Sequence, residues 1–224
     1  MRVSTTISLL MAAVLLGGNV PAALAAGGGE DISPAEQRVF TDPHMDGLPP
    51  ASTLRYDYRR HEAGQPPVAD EVILTTQHDA QRGRVTQVDY LHEDRHLVLP
   101  EVDQASSNPL ILYFLEADVR TMRARLGGQE NYFRRRIRLA LAESAQLSEL
   151  AVSYGGKTVQ ATQVLIQPYV NDELQARFQG MAHKSYLFTL SPQVPGGVYE
   201  LRTVVEDAAA GAPRVEEVLT LRAQ

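Results

Sequence analysis

The sequence predicts an α+β fold: an antiparallel β meander, a central αα-hairpin, then a second antiparallel β section. Three observations predict it. Residues 53–99 alternate apolar and polar side chains with period two. Residues 108–147 change to the three-and-four spacing of amphipathic helices, interrupted by Gly127-Gly128. From Leu150 onward period two returns.

In the first section, Leu54, Tyr56 and Tyr58 alternate with Arg55, Asp57 and Arg59, the pattern of a strand with one wet face. Further strands are expected at Glu71–Gln77, Arg84–Leu91 and His96–Leu99, with turns at Gln65-Pro66-Pro67 and Gln81-Arg82-Gly83. Asn108-Pro109 opens the first helix, along which Ile111, Leu115, Val119, Met122 and Leu126 share a face. The second helix is expected over Glu130–Leu147, with Phe133, Ile137, Ala140, Leu141 and Ser144 on one side. Helices joined by so short a turn pack antiparallel. Leu150–Tyr154 and Thr158–Gln167 then flank Gly155-Gly156, a two-residue hairpin turn. Tyr186–Leu190, Val198–Val205 and Val215–Leu221 complete the strands, and Asn171–Phe178 reads as one or two helical turns. The pattern alone leaves open whether the two β sections share a sheet or are separated by a subdomain boundary near residue 148.

The N-terminal residues address location. Arg2, an apolar run over Ile7–Leu16 and Ala23-Leu24-Ala25 describe a secretory signal peptide over residues 1–25, cut near Ala25. Residues 26–50 read as a flexible segment with one short helix. There, Ser33-Pro34-Ala35-Glu36 supplies an N-cap, a proline at the first helical position and the Glu of a capping box. Phe40 and Leu48 are placed to pin the segment to the body, residues 51–224. The expected setting is periplasmic or secreted.

Composition narrows the chemistry. The chain has no cysteine, so disulfides, thiolate metal sites and a cysteine nucleophile are excluded. A net charge of −6, from 21 basic and 27 acidic residues, argues against general nucleic-acid binding. No G-x-S-x-G elbow is present. Nine tyrosines, against five phenylalanines and no tryptophan, suit either a core or a pocket with polar tips.

Three motifs bear on function. His92-Glu93-Asp94-Arg95-His96 matches H-E-x-x-H, in which a helix would align His92 and His96 as zinc ligands with Glu93 as general base. Glu116 would be the third ligand. The flanking residues argue for a turn instead, because Val85–Leu91 is strand-like and Pro100 limits any helix after His96. Ala151–Thr158 fits a lax phosphate-loop pattern, but Thr158–Thr162 continues as a β-like run, which favours a hairpin. Tyr132–Arg138 is the one dense basic cluster, with Arg134, Arg135 and Arg138 opposite the apolar stripe as a candidate interaction surface.

The reading favoured is a non-enzymatic binding or interaction module of the cell envelope. Its partner would be a small apolar ligand or an envelope protein, with an anionic membrane surface as a further candidate for the basic helix. No cofactor and no nucleic-acid partner are expected. The alternative is a zinc-dependent hydrolase built on His92, Glu93, His96 and Glu116.

Overall fold

The computed structural model of the protein describes residues 32–178, 180–207 and 212–223. The signal peptide read over residues 1–25, its cleavage site and the glycines that follow lie outside the described residues. Among the described residues, nine strands make one antiparallel sheet: β1 (Ser52–Glu62), β2 (Val68–Asp79), β3 (Gly83–Tyr90), β4 (Val102–Asp103), β5 (Gln146–Tyr154), β6 (Lys157–Ile166), β7 (Ser185–Leu190), β8 (Val198–Asp207) and β9 (Ala212–Leu221). Helices α1 (Pro34–Glu36), α2 (Leu110–Leu126) and α3 (Glu130–Glu143) complete an α+β architecture.

The strand order is β4-β3-β2-β1-β9-β8-β7-β6-β5. The first four strands therefore step from the middle of the sheet to one edge, and the last five step inward from the other. They meet where β1 pairs with β9, in register from Tyr56↔Leu221 to Glu62↔Val215. The two β sections are one sheet, and residue 148 falls inside β5. Between β4 and β5 the chain must travel from one edge to the other. It does so as α2 and α3.

Alternation along the strands lays down a continuous apolar layer. Tyr58, Leu219, Leu201, Phe188 and Val164 stand in register across five neighbouring strands, all buried. Tyr90, Val72, Tyr56 and Leu221 form a second such row. Ile111, Phe114, Val119 and Met122 of α2, with Phe133, Ile137 and Leu141 of α3, join the same core. The opposite side of β1 carries ion pairs, including Arg55 to Glu71 at 3.2 Å.

Helix boundaries follow local chemistry. The Asn108 side chain accepts from the Leu110 N–H at 3.0 Å, capping α2, and Gly127 ends it at φ 74°. α3 stops at Glu143, short of the expected Leu147. Its apolar stripe is spent after Leu141, and Leu147 instead pairs with Val164 in the sheet. The expected strand at His96–Leu99 is reduced to one bridge, Leu97 to Tyr90, and the fourth strand forms at Val102–Asp103. Residues 32–50 pack against the body. Ser33 and Glu36 form the capping box, the Ser33 hydroxyl donates to the Leu141 carbonyl at 3.0 Å, and Ala35, Val39 and Met45 are buried.

The two sheet edges differ. β4 is two residues long and clamped by Arg82, which pairs with Asp103 at 2.6 Å and Glu101 at 2.8 Å. β5 is nine residues long, regular and largely exposed.

One side chain fastens the start of α2 to the sheet. Asn108, buried, donates to the Gly196 carbonyl at 2.8 Å and to the Tyr56 hydroxyl at 3.4 Å. Asn108→Ala leaves these acceptors buried and the cap unmade. The expected loss is about 2–3 kcal/mol of unfolding free energy in urea titration.

Candidate functional site

The H-E-x-x-H segment does not form the helix that zinc chemistry requires. β3 ends at Tyr90, Leu91 turns the chain at φ 60°, and only Glu93–Arg95 coil, as a single 3-10 turn with Glu93 at φ 52°. His92 precedes that turn in extended geometry, so the two imidazoles do not share a helix face. Each ring has its own neighbour. His92 Nδ1 lies 2.6 Å from Asp70, and His96 Nδ1 lies 3.0 Å from the Leu91 carbonyl. Glu116 is on α2, ion-paired with Arg134 at 2.8 Å and Arg120 at 3.3 Å. The zinc assignment of His92, Glu93, His96 and Glu116 is therefore withdrawn.

Asp70 is the organiser of this corner. Burial pushes its pKa up. Hydrogen bonds from the His92 ring, the backbone N–H groups of Glu71 and His92, and Arg95 outweigh that and hold it well below the carboxylate range. His92 moves the other way, raised above its ordinary 6.5 chiefly by its bond to Asp70.

Ala151–Thr158 is the β5–β6 hairpin, with Gly155 and Gly156 at φ 57° and 74°. No helix N-terminus lies there to receive a phosphate.

The arginine cluster divides. Arg134 reaches Glu116 at 2.8 Å and Glu130 at 2.7 Å, and so is neutralised within the helices. Arg136 pairs with Asp172 at 2.8 Å. On α2, Arg120, Arg123 and Arg125 also reach carboxylates, those of Glu116, Glu130 and Glu62. Arg135 and Arg138 make no ion pair or hydrogen bond among the described residues, and both are exposed. Two such charges three residues apart destabilise a helix by a few tenths of a kcal/mol, on the order of 0.2–0.5.

Those two arginines border a groove. It has a volume of about 700 Å³ and lies between α2 and α3, walled by Phe40, Leu99, Val102, Leu112 and Tyr113. Leu115, Val119 and Ile137, drawn from the core stripe, form its floor. Leu112 is 55% exposed although large and apolar. The Tyr113 hydroxyl is already used, donating to the Pro100 carbonyl at 2.5 Å. The groove thus offers aliphatic surface inside and uncompensated positive charge at its rim.

A second cluster is buried and was not read from the sequence. Asp118 on α2 pairs with Lys184 and accepts a hydrogen bond from Tyr186 at 2.5 Å; the Tyr186 hydroxyl lies 3.1 Å from that of Tyr169. Asp118 and Lys184 are 2% and 4% exposed, too covered to meet a solute. Burial pushes both tyrosines far above the ordinary phenol range. Nearby, burial raises the pKa of Glu217, opposed by Lys184. The signal for Asp118 was present: it lies three residues after Leu115 and four before Met122, inside the apolar stripe. Nothing local marked Lys184.

Two predictions follow from these contacts. Lys184→Met or Asp118→Asn alone leaves a buried group unmatched and lowers stability by about 3–5 kcal/mol. The double variant Asp118→Asn/Lys184→Met loses clearly less than the sum in a urea double-mutant cycle. For His92, the raised pKa means that the contact with Asp70 contributes fully below the ordinary imidazole value and is lost as pH rises through the raised one. Asp70, being lowered, contributes above its ordinary 3.8 and loses this as pH falls. In Asp70→Asn, the His92 titration midpoint, followed by NMR, drops back toward 6.5.

The chain was compared with protein-family models and with characterised proteins, and it matches none. Among solved structures it is similar to the crystal structure of the Mycobacterium tuberculosis lipoprotein LppX. The likeness covers 76% of this chain and 85% of that one, at 7% identity and a TM-score of 0.30. A superposition so loose carries no information about the ligand of this chain.

Proposed function

We propose that the protein is an exported, non-enzymatic binding module of the cell envelope, and that the groove between α2 and α3 takes an apolar ligand. Export is read from residues 1–25. The observation that supports binding is the groove itself: about 700 Å³ with aliphatic walls and an exposed Leu112. Pockets that bury small ligands have volumes of about 300–1,000 Å³, mostly apolar with a few polar groups to orient the ligand. Leu112 does not stand alone: its exposed aliphatic surface is continuous with the apolar lining at Leu99, Val102 and Tyr113.

The interior between helices and sheet is a different matter. It is filled by large side chains such as Tyr56, Phe114, Tyr169 and Phe188, each under 2% exposed. A ligand seated between those layers would have to displace close-packed core. The groove lies outside that packing and opens to solvent.

The test uses N-phenyl-1-naphthylamine, a neutral fluorophore that brightens in apolar surroundings. Saturable binding near one equivalent per chain is expected. Leu112→Asp should weaken it by about tenfold or more, equivalent to roughly 1.4 kcal/mol. The unfolding midpoint should stay the same, because Leu112 contributes little to the core. No saturable binding, or binding indifferent to Leu112→Asp, sinks this reading.

A further inference from the structure

We infer that the ligand is a single-chain anionic amphiphile, bound as a free monomer with its tail along the α2–α3 groove and its head on Arg135 and Arg138. This rests on the groove being a binding site and goes further by naming what fits.

The argument is one of charge matching. α2 and α3 carry seven arginines between them, and five are matched by carboxylates: Arg120, Arg123, Arg125, Arg134 and Arg136. The unmatched two, Arg135 and Arg138, are also the two that border the groove without a partner among the described residues. They sit one turn apart on α3, so one head group can contact both guanidinium ions. Glu116 also lines the groove, but its carboxylate is held by Arg134 and Arg120, and Arg134 lowers its pKa, so it stays ionised and paired. The site therefore attracts an anion, gives a neutral head only hydrogen bonds without charge pairing, and repels a cation. The walls at Leu99, Val102 and Leu112 are aliphatic, the Tyr113 hydroxyl is committed to Pro100, and the one amide in the lining, Asn131, is held through its oxygen by Arg134. A hydrocarbon tail meets those requirements, whereas a sugar or peptide would leave its polar groups unpaired. The volume suits one chain, not a diacyl lipid.

The experiment displaces N-phenyl-1-naphthylamine from the purified protein with tetradecanoate, dodecanoate, tetradecanol and tetradecyltrimethylammonium, each kept below its aggregation concentration. Tetradecanoate should displace the probe at least about tenfold more tightly than tetradecanol, as expected for a charge-assisted pair of hydrogen bonds. Affinity should fall roughly fourfold for each methylene removed. In Arg135→Gln/Arg138→Gln the preference over the alcohol should disappear while the neutral probe still binds, because neither arginine supports the fold through an ion pair or hydrogen bond among the described residues. Equal affinity for acid and alcohol overturns the inference. So does a preference that survives the double variant. Failure of tetradecanoate to displace the probe, combined with binding to phosphatidylglycerol-containing vesicles, overturns it in favour of a membrane surface. If the neutral probe itself does not bind, the groove reading fails first and takes this inference with it.

Discussion

The pairing of β1 with β9 determines where everything else in the molecule can go. Two meanders that ran separately would each need their own cover. Joined in register from Tyr56↔Leu221 to Glu62↔Val215, they make one broad sheet whose edges, β4 and β5, are consecutive in sequence yet lie at opposite ends. The link between β4 and β5 must then span that width. A helical pair is an efficient way to do so, because it satisfies its own backbone hydrogen bonds while lowering an apolar stripe onto the sheet. The groove between α2 and α3 is a by-product of that crossing. Two round helices side by side leave a furrow between them, here walled by Phe40, Leu99, Pro100 and Val102.

Asp118 shows how the crossing helix is held at one position. A purely apolar interface resists sliding only through shape. The Asp118 carboxylate, gripped by Lys184 and Tyr186, makes any shift of α2 expose an unmatched buried charge. Asn108 does the same at the start of the helix through Gly196 and Tyr56. Neither anchor lines the groove, but both fix α2, which supplies Leu112, Leu115 and Val119 to it.

Much of the fold was legible because its signals are local. Period-two alternation, Gly155-Gly156 and Gly127-Gly128 each describe the few residues around them, and apart from the strand expected at His96–Leu99 the structure keeps those elements with shifts of a few residues. What escaped is non-local or conformational. The Asp118–Lys184 pair joins residues 66 positions apart, and no short window contains both. Residues 92–96 misled in the opposite way. Their letters match a helical zinc motif, but the backbone is decided by the positive φ angles at Leu91 and Glu93, which the letters do not encode. The arginine cluster was visible as charge. Which of its members stayed uncompensated depended on Glu116 and Glu130, carboxylates set by the α2–α3 packing. Leu112 was a missed clue, a large aliphatic residue outside the stripe of Ile111, Leu115 and Val119.

The long edge of β5 sorts its own amides into two kinds. A two-residue hairpin makes Tyr154 and Lys157 a hydrogen-bonded pair, and the alternation of an antiparallel ladder then fixes the rest. The N–H groups of Gln146, Ser148, Leu150, Val152 and Tyr154 turn toward β6. Those of Leu147, Glu149, Ala151 and Ser153 turn away from the sheet, with no further strand among the described residues to receive them. Solvent deuterium would therefore label this strand at every second residue, fast and slow in strict alternation. β4, short and fenced by Arg82, has too few residues to show such a rhythm. The molecule ends on one side in a sealed border and on the other in an open row of donors and acceptors.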